Sequence, residues 1–270
     1  MPELPEVETS RRGIKPWIQD ETITRVVVRD RRLRWPVAKG IERRLRRQTI
    51  ETVDRRAKYI LIGTGGGTII LHLGMTGSLF IVDQATPAGI HDHVDFELDS
   101  GKVLRFRDPR RFGSLHLSCA PLEHPLLAKL GPEPLGDDFD GDYLWRKSRG
   151  RKVSIKQFIM NAQVVVGVGN IYASESLFRA GINPKRAAGR VARHRYAALA
   201  DAIRNILQRA INAGGTTLRD FYGGDGEPGY FKQQLEVYDR EGEHCRCCDT
   251  VISAFVQGQR STYYCKSCQT

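Results

Sequence analysis

Cysteine is nearly absent from most of this chain. Of six cysteines, five fall within the last 26 residues, and only Cys119 stands apart. A disulfide framework spreads cysteines along a short secreted chain, so this pattern points to a reduced compartment with one local metal site. No run approaches the ~20 apolar residues of a membrane span, so no membrane association is expected. The first residues are acidic and lack an apolar signal core, so no secretion signal is read and a cytoplasmic location is expected. Internal repeats and low-complexity tracts are missing too. Gly63-Thr64-Gly65-Gly66-Gly67 has neither phosphate-loop spacing nor a following Lys-Ser/Thr, so it reads as a hairpin loop.

What is abundant is positive charge. Lys and Arg total 42 against 31 Asp and Glu, giving a net +11, and arginine dominates the excess. A planar guanidinium grips phosphate oxygens in pairs, so nucleic acid is the natural partner. At 270 residues, with 40% hydrophobic and 27% charged, the chain is globular and long enough for two domains.

The opening stretch Met1-Pro2-Glu3-Leu4-Pro5-Glu6-Val7-Glu8-Thr9 supports two compatible readings. One is a capped helix: Pro5 in the first turn, acids at the positive end of the dipole, Leu4, Val7 and Ile14 inward, and Gly13 closing it. The other is a reactive terminus. Removal of Met1 leaves Pro2 as a secondary amine, and an α-amino pKa of about 8 leaves roughly a tenth of it unprotonated at neutral pH. Glu3, Glu6 and Glu8 stand close enough to move protons.

From Thr22 to Leu117 short alternating segments read as strands, interrupted by a basic loop at Arg31–Pro36 and a basic helix at Ile41–Gln48. A Pro- and Gly-containing acidic stretch follows, and then helical patterns at Tyr143–Arg149, Ile155–Asn161, Ile171–Ala180 and about Ala188–Ala213. The expected division is a β-sandwich domain at 1–120, a linker at 121–135, a helical domain at 136–235 and a cysteine hairpin at 236–270.

Several motifs carry chemistry. Cys245-x-x-Cys248 and Cys265-x-x-Cys268, with 16 residues between the pairs, have the spacing of a four-cysteine zinc site. Cys247 competes with Cys248, and His244 is a spare candidate. Four protein ligands leave no open position, so the ion would be structural. Gly258 marks the hairpin turn, with Arg260 just past it. In Asp108-Pro109-Arg110-Arg111-Phe112-Gly113, Phe112 is either an exposed wedge for a base stack or a ring folded into the sandwich. Met75 sits in a turn between two glycines. One of His91 and His93 suits a phosphate contact, the other a core role. Gly167-Val168-Gly169-Asn170 can form a tight turn before a helix N-terminus, a place for phosphate, with Lys152 and Lys156 upstream.

Taken in order, these motifs resemble formamidopyrimidine-DNA glycosylases nearly end to end. The resemblance runs through Pro-Glu-Leu-Pro-Glu-Val-Glu-Thr, Arg-Arg-Ala-Lys-Tyr, His-Leu-Gly-Met-Thr-Gly, His-Asp-His-Val-Asp, Asp-Pro-Arg-Arg-Phe-Gly, Gly-Val-Gly-Asn-Ile-Tyr-Ala-Ser-Glu, Gly-Gly-Thr-Thr and the cysteine hairpin. It implies an α+β fold of two domains. The first is a β-sandwich with flanking helices, and the second a helix–two-turn–helix domain ending in a four-cysteine zinc-finger hairpin, with DNA in the cleft between them. It implies a bifunctional enzyme that excises oxidised purines from double-stranded DNA and then cleaves the strand. Pro2 would be the nucleophile, Glu3 the proton handler, Lys58 the donor for β-elimination and Arg260 the donor for δ-elimination. Met75, Arg110 and Phe112 would fill the gap left by the flipped nucleotide. His91, Arg110, Arg151 and Asn170 would contact DNA, with Lys156 a further candidate, and residues from about Arg219 to Tyr230 would close over the lesion. One structural zinc ion on Cys245, Cys248, Cys265 and Cys268, a monomer, and association with the nucleoid through DNA complete the expectation. Ala57 and Gln157 depart from the family's usual Gly and Pro. The rival readings are an endonuclease VIII-like enzyme for oxidised pyrimidines and a non-catalytic binder of damaged DNA.

Overall fold

The structure, a computed structural model, describes residues 2–215 and 234–270. The chain divides into two compact units, one built on residues up to Ala128 and the other beginning at Lys129. Among the described residues, no helix is long and apolar enough to cross a membrane.

The first unit opens with α1 (Leu4–Ile18) and continues through β1 (Thr22–Val28), α2 (Ile41–Leu45), β2 (Gln48–Arg56), β3 (Tyr59–Thr64), β4 (Gly67–His72), β5 (Ser78–Asp83), β6 (Asp92–Leu98), β7 (Lys102–Arg107) and β8 (Ser114–Ser118). The strands form one antiparallel sheet in the order β5-β7-β6-β1-β2-β3-β4-β8. Its middle is pinched. β1 meets β2 only at Thr22↔Thr49 and Ile23↔Gln48, then runs on beside β6 alone. The sheet therefore folds into two leaves, and alternating residues of both enter one core: Val26, Phe96 and Phe106 from one leaf, and Ile60, Ile69 and Leu115 from the other.

Register gathers one set of strand ends. Val28 pairs with Val94, and Arg107 with both Asp92 and Ser78. In the other leaf Arg56 pairs with Tyr59, Tyr59 with His72, and His72 with Ser114. The 57–58 turn, the 73–77 loop, His91 and the 108–113 loop thus emerge at one end of the sandwich.

α1 packs over the core through Val7, Ile14 and Ile18. Gly13 does not end it. The helix runs through Pro16 to Ile18, because that apolar stripe continues, and it stops where Gln19 turns extended. Its charged side is fastened by Glu8. Both carboxylate oxygens of Glu8 accept from Arg11, at 2.7 and 3.0 Å, while Arg12 and Arg55 add bonds at 2.8 and 3.1 Å. Arg11 also donates to the Val53 carbonyl, and Arg55 to that of Ala57. Burial pushes the Glu8 carboxyl up, but the guanidinium bonds of Arg11 and Arg12 more than reverse this and hold it at about 2.

The second unit carries α3 (Gly141–Ser148), α4 (Ile155–Met160), α5 (Asn170–Arg179), α6 (Arg193–Asn212) and the hairpin β9 (Ser253–Gln257) and β10 (Arg260–Tyr264). α6 starts later than the periodicity suggests, because residues 188–190 form a 3₁₀ turn. Gly189 there packs on the Arg151 backbone, where a Cβ would sit 2.9 Å from the carbonyl oxygen. The buried Glu175 carboxylate of α5 accepts the backbone N–H groups of Glu236, Val237 and Tyr238. That bond set ties the chain leading into the hairpin to α5.

Glu8→Gln should cost about 3 kcal/mol at pH 7, because three guanidinium groups lose a buried partner. The folded pKa of Glu8 lies below its ordinary 4.5, so its contribution is complete above that pH and lost as pH falls toward 2. His72, lowered by burial and by nearby Lys58 and Arg34 to about 4, loses its contribution as pH falls from 6.5 through 4. Urea unfolding at pH 7, 5 and 3 checks this: the stability difference between wild type and variant should hold from pH 7 to 5, where His72 weakens both alike, and shrink by pH 3 as Glu8 protonates.

Candidate functional site

The N-terminal turn is built from its own acids. Glu3 is the N-cap of α1, in the extended region, and forms a reciprocal capping box with Glu6. The Glu3 N–H donates to Glu6 Oε2 at 2.8 Å. Pro2, Glu3 and Glu6 are all buried. The three acids thus divide: Glu6 completes the cap, Glu8 holds the helix to the sheet, and Glu3 adjoins Pro2. Residues 213–215 belong to the same unit, and a Cβ on Gly215 would meet Glu6 Cγ at 3.3 Å.

Lys58 lies in the tight turn between β2 and β3. Ala57 precedes it with φ +55°. The Glu8–Arg55–Ala57 bonds connect α1 to this turn, so the helix bearing Pro2 and the residue before Lys58 share one ionic anchor. Sequence reasoning did not single out His72, which stands beside Lys58. Its Nδ1 accepts the Gly74 N–H at 2.9 Å, so in the neutral ring Nε2 carries the proton. Burial, with Lys58 and Arg34 close by, keeps the ring neutral. The result is a neutral donor among cations, suited to an anionic oxygen. Its signal was its place in His-Leu-Gly-Met-Thr-Gly.

The 73–77 and 108–113 loops are locked together by Asp108, which is wholly buried. Its carboxylate accepts from Thr76 Oγ1 at 2.8 Å and from the Gly113 N–H at 2.7 Å. The His93 ring bonds the Asp108 carbonyl, and the Asp108 N–H bonds the His91 carbonyl. His93 is therefore the core histidine of the pair, and His91 the partly exposed one. Gly74 has φ +67° and lies so close to the Phe112–Gly113 peptide that a Cβ would sit 2.4 Å from it. This contact leaves Met75 37% and Phe112 41% exposed on adjoining loops, so Phe112 is not folded into the core. The Arg110 guanidinium covers the Phe112 ring at 4.8 Å, and Arg111, at φ +56°, is held by Asp30 at 2.8 Å.

In the second unit, Gly169 caps α5 and Asn170 begins it. Asn170 Nδ2 donates to the Ser261 carbonyl at 3.0 Å, while its Oδ1 is buried without a partner. Gly258 and Gln259, both at positive φ, make the turn between β9 and β10, a backbone that matches strand twist. Arg260 follows, exposed. Arg151 is exposed beside a cleft of about 230 Å³, lined also by Lys147, Gln157 and Asn161.

The sulfurs of Cys245, Cys248, Cys265 and Cys268 all lie within 4.8 Å of one another. Neighbouring pairs stand 3.3, 3.4 and 3.9 Å apart, too far for disulfides. A tetrahedral ion with ~2.3 Å thiolate bonds separates its sulfurs by about 3.8 Å, so the set fits a metal. Cys247 is outside it. Its N–H instead points at Cys245 Sγ, and the His244 ring is bonded to the Asp249 carbonyl.

A family model described as the formamidopyrimidine-DNA glycosylase N-terminal domain matches residues 1–115, and one for its H2TH domain matches residues 130–222. The chain belongs to the formamidopyrimidine-DNA glycosylase family. It is 60% identical to the formamidopyrimidine-DNA glycosylase of Stutzerimonas stutzeri (strain A1501) and 57% identical to that of Pseudomonas aeruginosa (strain LESB58), over 100% of each chain. Among solved structures, it superposes on the Lactococcus lactis FPG mutant G226P bound to Fapy-dG-containing DNA with a TM-score of 0.92, at 31% identity and covering 100% of both chains. With the MutM (FPG) protein of Thermus thermophilus the TM-score is 0.88 and the identity 36%, covering 99% of this chain and 98% of that one.

One of the residues expected at the DNA is buried. Lys156 is 1% exposed, and its ammonium donates to the Ser261 carbonyl at 3.0 Å and to Thr262 Oγ1 at 2.7 Å. It pins the cysteine hairpin to α4 rather than standing on the surface. The positive φ of Ala57 shows why glycine suits that family position. Gln157, the other departure, lies under the hairpin tip, its Nε2 2.6 Å from where a Gly258 Cβ would stand. The expected lesion-closing segment, Arg219 to Tyr230, lies outside the described residues.

Two outcomes test this geometry. Asp108→Ala leaves the Gly113 N–H and the Thr76 hydroxyl without their acceptor and should cost about 2–3 kcal/mol in urea unfolding. Elemental analysis should find one metal ion per chain in the wild type and in Cys247→Ser, and none in Cys248→Ser.

Proposed function

We propose that this chain is a base-excision-repair glycosylase for oxidised purines in duplex DNA and that it also cleaves the resulting abasic strand. The observation that carries this reading is the junction of Pro2 and Glu3 at the capped start of α1, tied through Glu8 and Arg55 to the turn that bears Lys58. Formamidopyrimidine-DNA glycosylases share the whole length of the chain, and solved relatives are described in complex with Fapy-dG-containing and abasic-site-containing DNA.

The chemistry follows from the amine. With Met1 removed, the unprotonated Pro2 nitrogen attacks C1′ and the bond to the base breaks. Glu3 moves the protons of base release and sugar ring opening. The product is an iminium without an N–H, which stays cationic and acidifies C2′. Loss of a C2′ proton expels the 3′ phosphate, with Lys58 as proton donor, and a second elimination expels the 5′ phosphate, with Arg260 as donor. The lesion must leave the base stack first. Met75, Phe112 and Arg110 occupy the gap, the aromatic wedge offsetting part of the unstacking cost. His91, Arg151 and Asn170 hold phosphates, and the neutral His72 adds a donor beside Lys58. Lys156 is left out of this contact set because its ammonium is committed to the hairpin. The ion on Cys245, Cys248, Cys265 and Cys268 is zinc in a structural role, since four thiolates leave no position for water.

Borohydride should trap a covalent adduct between the trimmed protein and an 8-oxoguanine duplex. Pro2→Gly should trap less, and Glu3→Gln should lose base excision. A trimmed wild type that traps nothing sinks the imine route. Faster excision of an oxidised pyrimidine than of 8-oxoguanine would move the chain to the endonuclease VIII-like reading.

A further inference from the structure

The turn that carries His91 holds two side chains that the excision chemistry leaves unused. The Asp92 N–H donates to the Gly89 carbonyl at 3.1 Å, and the Gly89 N–H donates to Asp92 Oδ2 at 2.7 Å. Ile90 and His91 therefore stand at the corner of a tight turn. The buried Arg105 braces its approach, donating to the carbonyls of Thr86 and Pro87 at 3.0 Å each. The Asp108 N–H, bonded to the His91 carbonyl at 3.0 Å, ties the turn to the loop of Arg110 and Phe112. On this fixed mount Ile90 is 87% exposed, more than any other large apolar side chain among the described residues.

A single exposed apolar side chain is ordinary on a protein surface. Ile90 gains meaning from the charge beside it. Arg107, at the end of β7, is paired in register with Asp92. Its Nη2 lies 3.5 Å from where a Cβ on Gly89 would stand, so the guanidinium lies along the turn. Three guanidinium groups share two carboxylates here: Arg29 and Arg105 hold Asp95, while Arg105 and Arg107 flank Asp92 at 3.7 and 3.5 Å. The cluster keeps one surplus positive charge. Arg107 is the most exposed of the three, its side chain 47% exposed, and it meets Asp92 through Nε. Asp92 thus orients the fork and leaves its Nη groups to an outside anion. A DNA backbone matches both parts, with an anionic phosphate oxygen for the guanidinium and an apolar deoxyribose face for the isoleucine. An acidic protein partner is the competing occupant. The continuity of the turn with the loop of Arg110 and Phe112 favours the DNA strand.

We propose that Arg107 and Ile90 form a further contact to the DNA backbone, in which Arg107 binds one phosphate and Ile90 packs on an adjoining deoxyribose. The inference rests on the glycosylase reading and extends its grip past His91. The contact reads no base, so it adds affinity without selecting the lesion.

The test uses the full chain and a fluorescein-labelled duplex bearing a tetrahydrofuran abasic analogue, followed by fluorescence anisotropy over a range of NaCl concentrations. Each phosphate neutralised contributes about 0.9 to the slope of log Kd against log salt. Arg107→Gln should make that slope shallower by about 0.9, and Arg107→Lys, which keeps the charge, should hold it at the wild-type value. Ile90→Lys should steepen the slope by about 0.9, and Ile90→Asp should weaken binding at least about tenfold at low salt. A wild type that does not bind the duplex overturns the proposal and the glycosylase reading together. With a wild type that binds, the proposal alone is overturned by any of three results. These are an unchanged slope in Arg107→Gln, a loss of slope in Arg107→Lys as large as in Arg107→Gln, or wild-type binding by Ile90→Asp, which would mark the patch as a surface for a protein partner.

Discussion

The first unit depends on one buried carboxylate. Glu8 is where a helix, a strand and a turn are brought to a common charge, and no other acid in α1 is placed to do this. Arg11 carries its grip to the Val53 carbonyl, and Arg55 carries it to Ala57. An ammonium would have served less well than these guanidinium groups, because a planar fork can hold a carboxylate and a backbone carbonyl at once. The cluster also settles the division of labour among the neighbouring acids. Glu8 docks the helix, Glu6 accepts the N-cap N–H, and Glu3, which closes the other half of the capping box, is the acid adjoining Pro2, so the chain end is held rigid by its own acids.

The second unit solves a similar problem with a neutral group. The Ser261 carbonyl takes bonds from both Lys156 and Asn170, and so anchors the hairpin that carries Arg260 to two helices at once. The four sulfurs close the far side of the same hairpin. A short two-stranded ribbon is marginal in water by itself, and here it is braced at both ends.

Much of this was legible beforehand. The strands announce themselves by alternation, the helices by apolar spacing, and the thiolate set by its two paired gaps, which single out Cys248 over Cys247. What was hidden is long-range. Lys156 looks like any surface lysine until the chain returns 105 residues later to bury it. Gly13 looks like a helix end, but a terminus is decided by whether the apolar stripe still has something to cover, and Ile14 and Ile18 do. His72 gives no warning in its spacing, because its tautomer is set by the N–H of Gly74 in a loop whose fold depends on Phe112 and Gly113. The exposure of Phe112 was open either way. Asp108 decides it by drawing both loops onto itself and leaving the ring no route inward.

The pinch in the sheet has a mechanical meaning. Among the described residues, the strand ladder joins the two leaves only at one corner, through the Thr22 and Ile23 pairings and the Asp20 and Glu21 bonds to Ile50, so little in the ladder itself dictates how far apart the leaves stand beyond it. That spacing is set by what lies between them, and Phe96 and Phe106 are among the largest side chains there. Lys58 rides on one leaf and Asp108 on the strand end of the other. The volume of the filling therefore acts as a ruler for the distance between Lys58 and the 108–113 loop. Trimming a core ring, even far from both, would change the spacing of the loops gathered at that end.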